Sequence, residues 1–119
     1  NLLSMADQLS AKDHAGSDSI AGKLLGGVAV KEYPRKARQA SVTTYIGKAA
    51  LPPFLIVHGD KDRNVPMAQS VELVEALLKA GHVVDWIKVK NADHGGAGIW
   101  NDAILSRCLD KIQCWLAGK

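Results

Sequence analysis

The chain has 119 residues, 47% of them hydrophobic and 23% charged, which suits one globular domain or part of one and excludes a disordered protein. Its formal net charge of +3 is too small to indicate a nucleic-acid-binding surface, and no apolar run approaches the ~20 residues of a membrane span. The sequence therefore predicts neither a nucleic-acid nor a membrane partner. No targeting segment is visible, so the cellular compartment is left open.

The first part of the chain, residues 1–50, is predicted to be irregular except for two short helices. Residues 19–26 have the spacing of a helix that ends at two glycines, and Ser17 or Asp18 is the predicted cap. Residues 34–41 form the second predicted helix, because a proline at its start suits the first helical turn.

The second part, residues 51–119, alternates between strands and helices. Residues 52–58 form a short, continuous apolar run after two prolines, which predicts a strand buried on both faces. Residues 67–80 have apolar side chains at helical spacing and are followed by a glycine. A second strand is predicted over 83–89, where mixed polarity favours a place near the sheet edge, and a last helix over about 100–116. Short loops in this order predict a parallel sheet.

The last predicted helix carries an apolar stripe and both cysteines of the chain. Its apolar stripe consists of Trp100, Ile104, Leu105, Cys108, Leu109, Ile112, Trp115 and Leu116. This spacing predicts one face packed against the sheet, with both tryptophans buried. Cys108 and Cys114 should not form a disulfide, because six helical residues place them about 9 Å apart along the axis and on different faces.

The predicted sheet is incomplete. An apolar strand such as 52–58 needs neighbours on both edges and helices on both faces, and two parallel strands do not make a stable sheet alone. We expect the other strands to come from an N-terminal segment outside this chain, from a separate chain, or from a swapped second copy, and we favour the first.

Two residues with catalytic potential follow the two predicted strands. Asp62 lies in the loop after strand 52–58, and His94 lies in the turn after strand 83–89. Functional residues of parallel sheets gather at the carboxyl ends of the strands, so these loops should meet. A carboxylate beside an imidazole fixes its tautomer and stabilises the imidazolium. We therefore predict Asp62 as acid and His94 as base; Asp60 competes as the acid, but we interpret it as a turn residue bonded to local amides.

Two other histidines, His58 and His82, are not predicted to be catalytic. His58 ends a buried strand and is predicted to be a hydrogen-bonded structural residue. His82 follows a helix-ending glycine and is predicted to be exposed. The sequence offers no Cys/His spacing typical of a metal site, and we expect no metal or organic cofactor.

Several segments resemble a known family. The segment His58–Pro66 (HGDKDRNVP) resembles the H-G-x-x-D-x-x-V-P motif of the dienelactone-hydrolase and prolyl-oligopeptidase branch of α/β-hydrolases, and Asn91–Gly96 (NADHGG) resembles the turn that carries their histidine. The stretches KLLGG, ARQASVTTYI and PPFLIVHGDKD are similar to lipase-like esterases described as bifunctional feruloyl and acetyl xylan esterases.

The resemblance implies that residues 1–119 form the C-terminal segment of one α/β-hydrolase domain, with its last parallel strands and flanking helices. It also implies a serine-type carboxylic ester hydrolase in which Asp62 is the triad acid and His94 the base. The implied substrates are small esters or acylated polysaccharides bearing acetyl or feruloyl groups. Relatives are often secreted, and His14 corresponds to a region near their active-site mouth. Arg63 departs from the smaller residue of relatives and could pair with Asp60, pair with Asp62 or contact substrate.

The chain also departs from the family at the nucleophile. None of its seven serines lies in the G-x-S-x-G pattern that exposes a catalytic serine. The early loop that forms the oxyanion hole has no counterpart either, so we expect the chain to be inactive alone. Two alternatives stay open: a peptidase of the prolyl-oligopeptidase type, and a non-catalytic remnant that covers its sheet edge by dimerising.

Overall fold

The computed structural model describes residues 1–8, 10–47 and 50–118. The first part of the chain contains three short helices, α1 (Leu2–Met5), α2 (Ile20–Leu24) and α3 (Pro34–Gln39). One 3₁₀ turn, Val30–Glu32, lies between α2 and α3, and another, Val42–Thr44, follows α3. Both predicted helices are present, although each is shorter than predicted, and α1 was not predicted.

Local chemistry explains the limits of α2. Ser19 is the N-cap, and its hydroxyl accepts the Gly22 amide at 2.9 Å. The prediction of Ser17 or Asp18 as the cap was therefore wrong, because the helix begins one residue later than expected. Its end is set by Gly26, which has a φ of 92° in the left-handed region that glycine adopts readily.

The second part has the predicted strand–helix–strand–helix order: β1 (Phe54–Gly59), α4 (Ala68–Lys79), β2 (Val84–Val89) and α5 (Asp102–Leu116). The two strands pair in parallel. Their register brings Phe54 opposite Val84 at one end and Gly59 opposite Val89 at the other. Both strands consequently end side by side, and the loops that follow them emerge at the same edge of the sheet.

All but one of the buried apolar residues that the structure describes fall into two clusters, and the exception is Leu77 of α4. One holds the first part of the chain together and comprises Ala21, Leu25, Val30 and Ala37. The other lies beside the sheet and comprises Ile87, Val89, Ala92 and Ile99, against which Leu55, Val57, Ile104 and Cys108 pack. The second cluster supports the turn after β2, since two of its members, Ala92 and Ile99, flank the predicted base.

The burial predicted for the strand and the last helix was wrong. The residues of β1 from Phe54 to Val57 are only half-buried, and no residue of α5 is fully buried. Trp100 precedes α5 and is 68% exposed, and Trp115 is half-buried. Among the described residues the sheet has two strands, so it is too narrow to cover both faces of β1 or the whole stripe of α5.

Two smaller predictions concern single side chains. Cys108 and Cys114 are both free, as the helical spacing predicted. His82 was predicted to be exposed but is half-buried, and its Nε2 atom is buried without a hydrogen-bond partner among the described residues.

Candidate active site

The loop after β1 holds Asp62 in a fixed orientation. The Oδ1 atom of Asp62 accepts the backbone N–H groups of Asn64 and Val65, each at 2.8 Å. This is the local side-chain-to-backbone bonding that aspartate favours in turns. The side chain of Asp62 is only 4% exposed, and its second oxygen, Oδ2, remains available for other partners.

His94 is the partner of that second oxygen. Its Nδ1 atom lies 2.9 Å from Asp62 Oδ2, within hydrogen-bonding distance. The two residues are far apart in sequence but adjacent in space because β1 and β2 are parallel and end together. In contrast to Asp62, the side chain of His94 is 53% exposed. The structure therefore brings together the two site residues predicted from the sequence.

The surroundings of Asp62 favour its ionised form. Burial by itself raises the pKa of the carboxyl, but the hydrogen bonds from the Val65 amide, His94 and the Asn64 amide outweigh it, so the pKa of Asp62 lies below its ordinary value. In the neutral ring of His94, the ionised Asp62 accepts a hydrogen bond from Nδ1–H, which leaves Nε2 as the ring nitrogen with a free lone pair. The described residues provide no hydrogen-bond partner for that Nε2 atom.

Arg63 and Asp93 connect the acid loop to the base turn. Asp93 accepts the Arg63 backbone amide at 2.9 Å, the Arg63 Nε–H at 2.6 Å and the His94 amide at 2.8 Å. The Arg63 and His94 amides and the Arg63 guanidinium lower the pKa of Asp93 to about 2. Pairing with Asp60, pairing with Asp62 and contact with substrate were left open for Arg63, and the structure pairs it instead with Asp93. Sequence reasoning missed Asp93, although it directly precedes the predicted base.

Asp60 has a different role from the one predicted. Its Oδ1 atom accepts the backbone N–H of Asn91 at 2.6 Å, across the gap between the two loops. We predicted bonds to amides in its own loop, and the parallel register instead brings the other turn within reach. Asn91 has a φ of 57°, in the left-handed region. Asp60 therefore fixes the turn that precedes His94 and makes no contact that would orient the imidazole.

Two further histidines, His58 and His14, contact the acid loop. His58 is 9% exposed, and its Nδ1 atom lies 2.6 Å from Ser70 Oγ. Its Nε2 atom lies 3.1 Å from the Val65 carbonyl oxygen. The buried His14 contacts the Asn64 carbonyl oxygen through Nε2 at 2.7 Å. Each ring therefore supports the backbone of the loop that carries Asp62.

His94 borders three cavities, two of which have mainly apolar linings. The first, of about 420 Å³, is also bounded by His58, Asp62 and Trp100. The second, of about 740 Å³, has an apolar wall formed by residues of α1 and α2 and a polar rim. Both are within the size range of small-molecule sites. No group of three or more His, Cys, Asp or Glu residues within the described ranges could hold a metal ion.

Comparison with known proteins assigns the family. The family model of the BD-FAE proteins, bifunctional feruloyl and acetyl xylan esterases, matches residues 1–77. The chain belongs to the BD-FAE family. The matched region of this BD-FAE chain includes the acid loop with Asp62, and His94 lies beyond it.

Two further similarities agree with that assignment. The BD-FAE chain is 40% identical to Esterase LipQ of Mycobacterium tuberculosis over 64 residues, which are 53% of this chain and 15% of that protein. Its structure resembles a truncated form of a carbohydrate esterase from gut microbiota with a TM-score of 0.76 and 27% identity, over 83% of this chain and 34% of the other. The chain thus spans about a third or less of the relatives it matches, and its fold is a partial α/β-hydrolase fold. None of the polypeptide within 1–8, 10–47 and 50–118 forms a helix long and apolar enough to cross a bilayer.

Proposed function

We propose that this BD-FAE chain supplies the acid and the base of a serine-type carboxylic ester hydrolase. The observation that carries the proposal is the 2.9 Å contact between His94 Nδ1 and the buried oxygen of Asp62, at the end of two parallel strands. This arrangement matches the orienting half of a nucleophilic triad, and the half-exposed His94 side chain borders three cavities.

The proposed reaction is acyl transfer in two steps. His94 Nε2 takes the proton of a serine hydroxyl as that oxygen attacks the ester carbonyl, and Asp62 stabilises the imidazolium that forms. The imidazolium then gives its proton to the departing alcohol, leaving the acyl group on the serine. Water, deprotonated by His94, releases the acid and restores the serine. Every proton transferred in these two steps passes through His94 Nε2, so Asp62 stays ionised throughout.

The nucleophile is proposed to come from residues outside these 119. The serines of the chain are Ser4, Ser10, Ser17, Ser19, Ser41, Ser70 and Ser106. No hydroxyl of a described serine is hydrogen-bonded to His94, and Ser41 and Ser70 are already engaged with Ala37 and His58. We accordingly propose that the chain alone does not turn over esters.

The proposed substrates are acetyl or feruloyl esters of plant polysaccharide or related small esters. Support comes from the BD-FAE family and from the names of the two relatives, an esterase and a carbohydrate esterase. The same names favour the esterase over the peptidase alternative. The cavity of about 740 Å³ next to His94 gives room for an acyl group of several carbons.

The test is an esterase assay with and without a serine-bearing segment. p-Nitrophenyl acetate is offered to the chain alone, to the N-terminal hydrolase segment of a BD-FAE relative alone, and to their mixture. Turnover only in the mixture, abolished by His94→Ala and retained by the matched variant His82→Ala, is the expected result. Turnover by the chain alone that survives His94→Ala would contradict the proposal.

A second proposal concerns the partner of this chain. β1 pairs only with β2 among the described residues, and α5 exposes an apolar stripe of Leu105, Leu109, Ile112 and Leu116. We propose that the rest of the hydrolase domain covers both surfaces. Self-association is the competing outcome, and sedimentation velocity distinguishes them: a concentration-dependent dimer that persists when the serine-bearing segment is added would favour self-association.

A further inference from the structure

We propose that His58 is a positioning residue for Asp62, and that Ser70 stabilises the tautomer in which His58 performs this role. The inference deepens the proposed function because it concerns the acid of that same site. It rests on a contact the reaction does not use: His58 Nε2 lies 3.0 Å from Asp62 Oδ2, the oxygen that also faces His94. Both side chains are nearly inaccessible to water.

The surroundings of His58 Nε2 favour the tautomer that carries its hydrogen on this nitrogen. Its two near neighbours are Asp62 Oδ2 at 3.0 Å and the Val65 carbonyl oxygen at 3.1 Å, and each of these oxygens only accepts. An unprotonated nitrogen would place a lone pair against both oxygens in a buried setting, where such repulsion is poorly screened. The N–H is directed at the Val65 carbonyl, and its positive end lies beside the carboxylate.

Ser70 stabilises the same tautomer from the other side of the ring. Its Oγ atom lies 2.6 Å from His58 Nδ1. With Nε2 protonated, the neutral ring has a lone pair at Nδ1, so the Ser70 hydroxyl donates to it. Ser70 lies on α4, which begins after the acid loop, so the helix fixes the hydroxyl relative to the ring.

The consequence for Asp62 is a carboxylate held from two sides. Oδ1 is held by the amides of Asn64 and Val65, and Oδ2 lies between the rings of His58 and His94. The His58 ring fills the buried side of Oδ2, so the oxygen faces the exposed ring of His94. His58 therefore acts through Asp62, keeping the carboxylate ionised and directed at the base.

The experiment is nuclear magnetic resonance on the whole chain, and it needs no turnover. The ring ¹⁵N shifts of His58 report the tautomer, and the side-chain ¹³C shift of Asp62 reports its titration. The variants are Ser70→Ala, Ser70→Thr, which keeps the hydroxyl, His58→Leu and His58→Gln, which keeps an N–H donor. Ser106→Ala, on the exposed side of α5, is the matched control for the serine changes.

The expected result has three parts. In the unmodified chain, His58 carries its hydrogen on Nε2 with Nδ1 unprotonated. Ser70→Ala mixes the two tautomers and shifts the Asp62 titration midpoint upward, and Ser70→Thr restores both. His58→Leu shifts the midpoint upward as well, and His58→Gln shifts it less. If a His58 variant fails to fold, the proposal is still tested by the tautomer of the unmodified chain and by the comparison of Ser70→Ala with Ser70→Thr.

Two results would overturn the proposal. One is a neutral His58 that carries its hydrogen on Nδ1 in the unmodified chain. The other is an Asp62 midpoint in Ser70→Ala equal to that in Ser106→Ala. Failure of the proposed function would be recognised separately, as an absence of ester turnover in the assembled hydrolase while these resonance patterns persist.

Discussion

Gly59 and Ala92 lie so close together that a β-carbon at position 59 would stand 2.2 Å from the Ala92 carbonyl oxygen. This contact lies at the edge where β1 and β2 end. The same carbonyl accepts the Lys61 amide at 2.9 Å, so the two backbones are in direct contact. The approach brings the acid loop and the base turn together, and it is possible only because residue 59 has no side chain.

Gly59→Ala is therefore expected to separate the two loops. The clashing atoms are backbone atoms and cannot rotate away, so the change should cost about 1–3 kcal/mol of the free energy of unfolding, as overpacked sites do. Urea denaturation measures this loss. Gly81→Ala serves as a control for the clash, because a β-carbon there meets nothing within 4 Å and only its positive φ is strained. A Gly59→Ala variant as stable as the unmodified chain would contradict this view of the contact.

Arg63→Ala should loosen the turn that carries His94. The variant keeps the Arg63 backbone amide bond to Asp93 but loses the 2.6 Å bond from the guanidinium. Because Arg63 is on the surface, overall stability should change little. The hydrogen-exchange rate of the His94 amide, which donates to the same carboxylate, should rise. Arg35→Ala, an exposed arginine on α3, is the control and should leave that rate unchanged.

Stability should decline in acid because of two carboxyls. Asp62 and Asp93 both have folded-state pKa values below the ordinary 3.8, and that of Asp93 is about 2. A depressed pKa contributes stability that is complete above the unfolded value and is lost as the pH falls through the folded value. The urea midpoint should consequently fall between pH 4 and pH 2. Asp93→Asn should flatten this decline, and an unchanged slope in that variant would contradict the assignment.

The apolar stripe of α5 gives a prediction about assembly. Leu116 is 83% exposed, so Leu116→Lys should leave the fold of the isolated chain intact. It should weaken association with the remaining hydrolase segment at least tenfold if that stripe is the covered face, since burying a leucine is worth roughly 1.5–3 kcal/mol. Isothermal titration calorimetry measures the affinity. Leu78→Lys, at an exposed leucine of α4, tests whether the loss is specific to α5.

The sequence predicted the elements around the site because its signals there are local. β1 is a continuous apolar run after two prolines, and α4 ends at a glycine with positive φ. The positions of Asp62 and His94 followed from strand ends, since parallel strands bring successive loops to one edge. These inferences needed only the chain order and the polarity of neighbouring residues.

The partners that sequence reasoning missed depend on tertiary register. Arg63 bonds to Asp93 and Asp60 bonds to the Asn91 amide, because the pairing of Gly59 with Val89 sets which side chains of the two loops meet. Sequence spacing does not contain that register. The exposure of Trp100 was missed for a different reason: an apolar stripe indicates a face suited to burial but does not show which polypeptide covers it.

The most direct test of the central claim is the effect of Asp62→Asn on ester hydrolysis by the assembled hydrolase. Asparagine keeps the shape of the side chain but cannot stabilise an imidazolium, so kcat for p-nitrophenyl acetate should fall by about 10⁴-fold. Asp60→Asn, which alters the competing carboxylate of the same loop, should retain most of the activity. Equal losses in the two variants, or full activity in Asp62→Asn, would contradict the assignment of Asp62 and His94 as the acid–base pair.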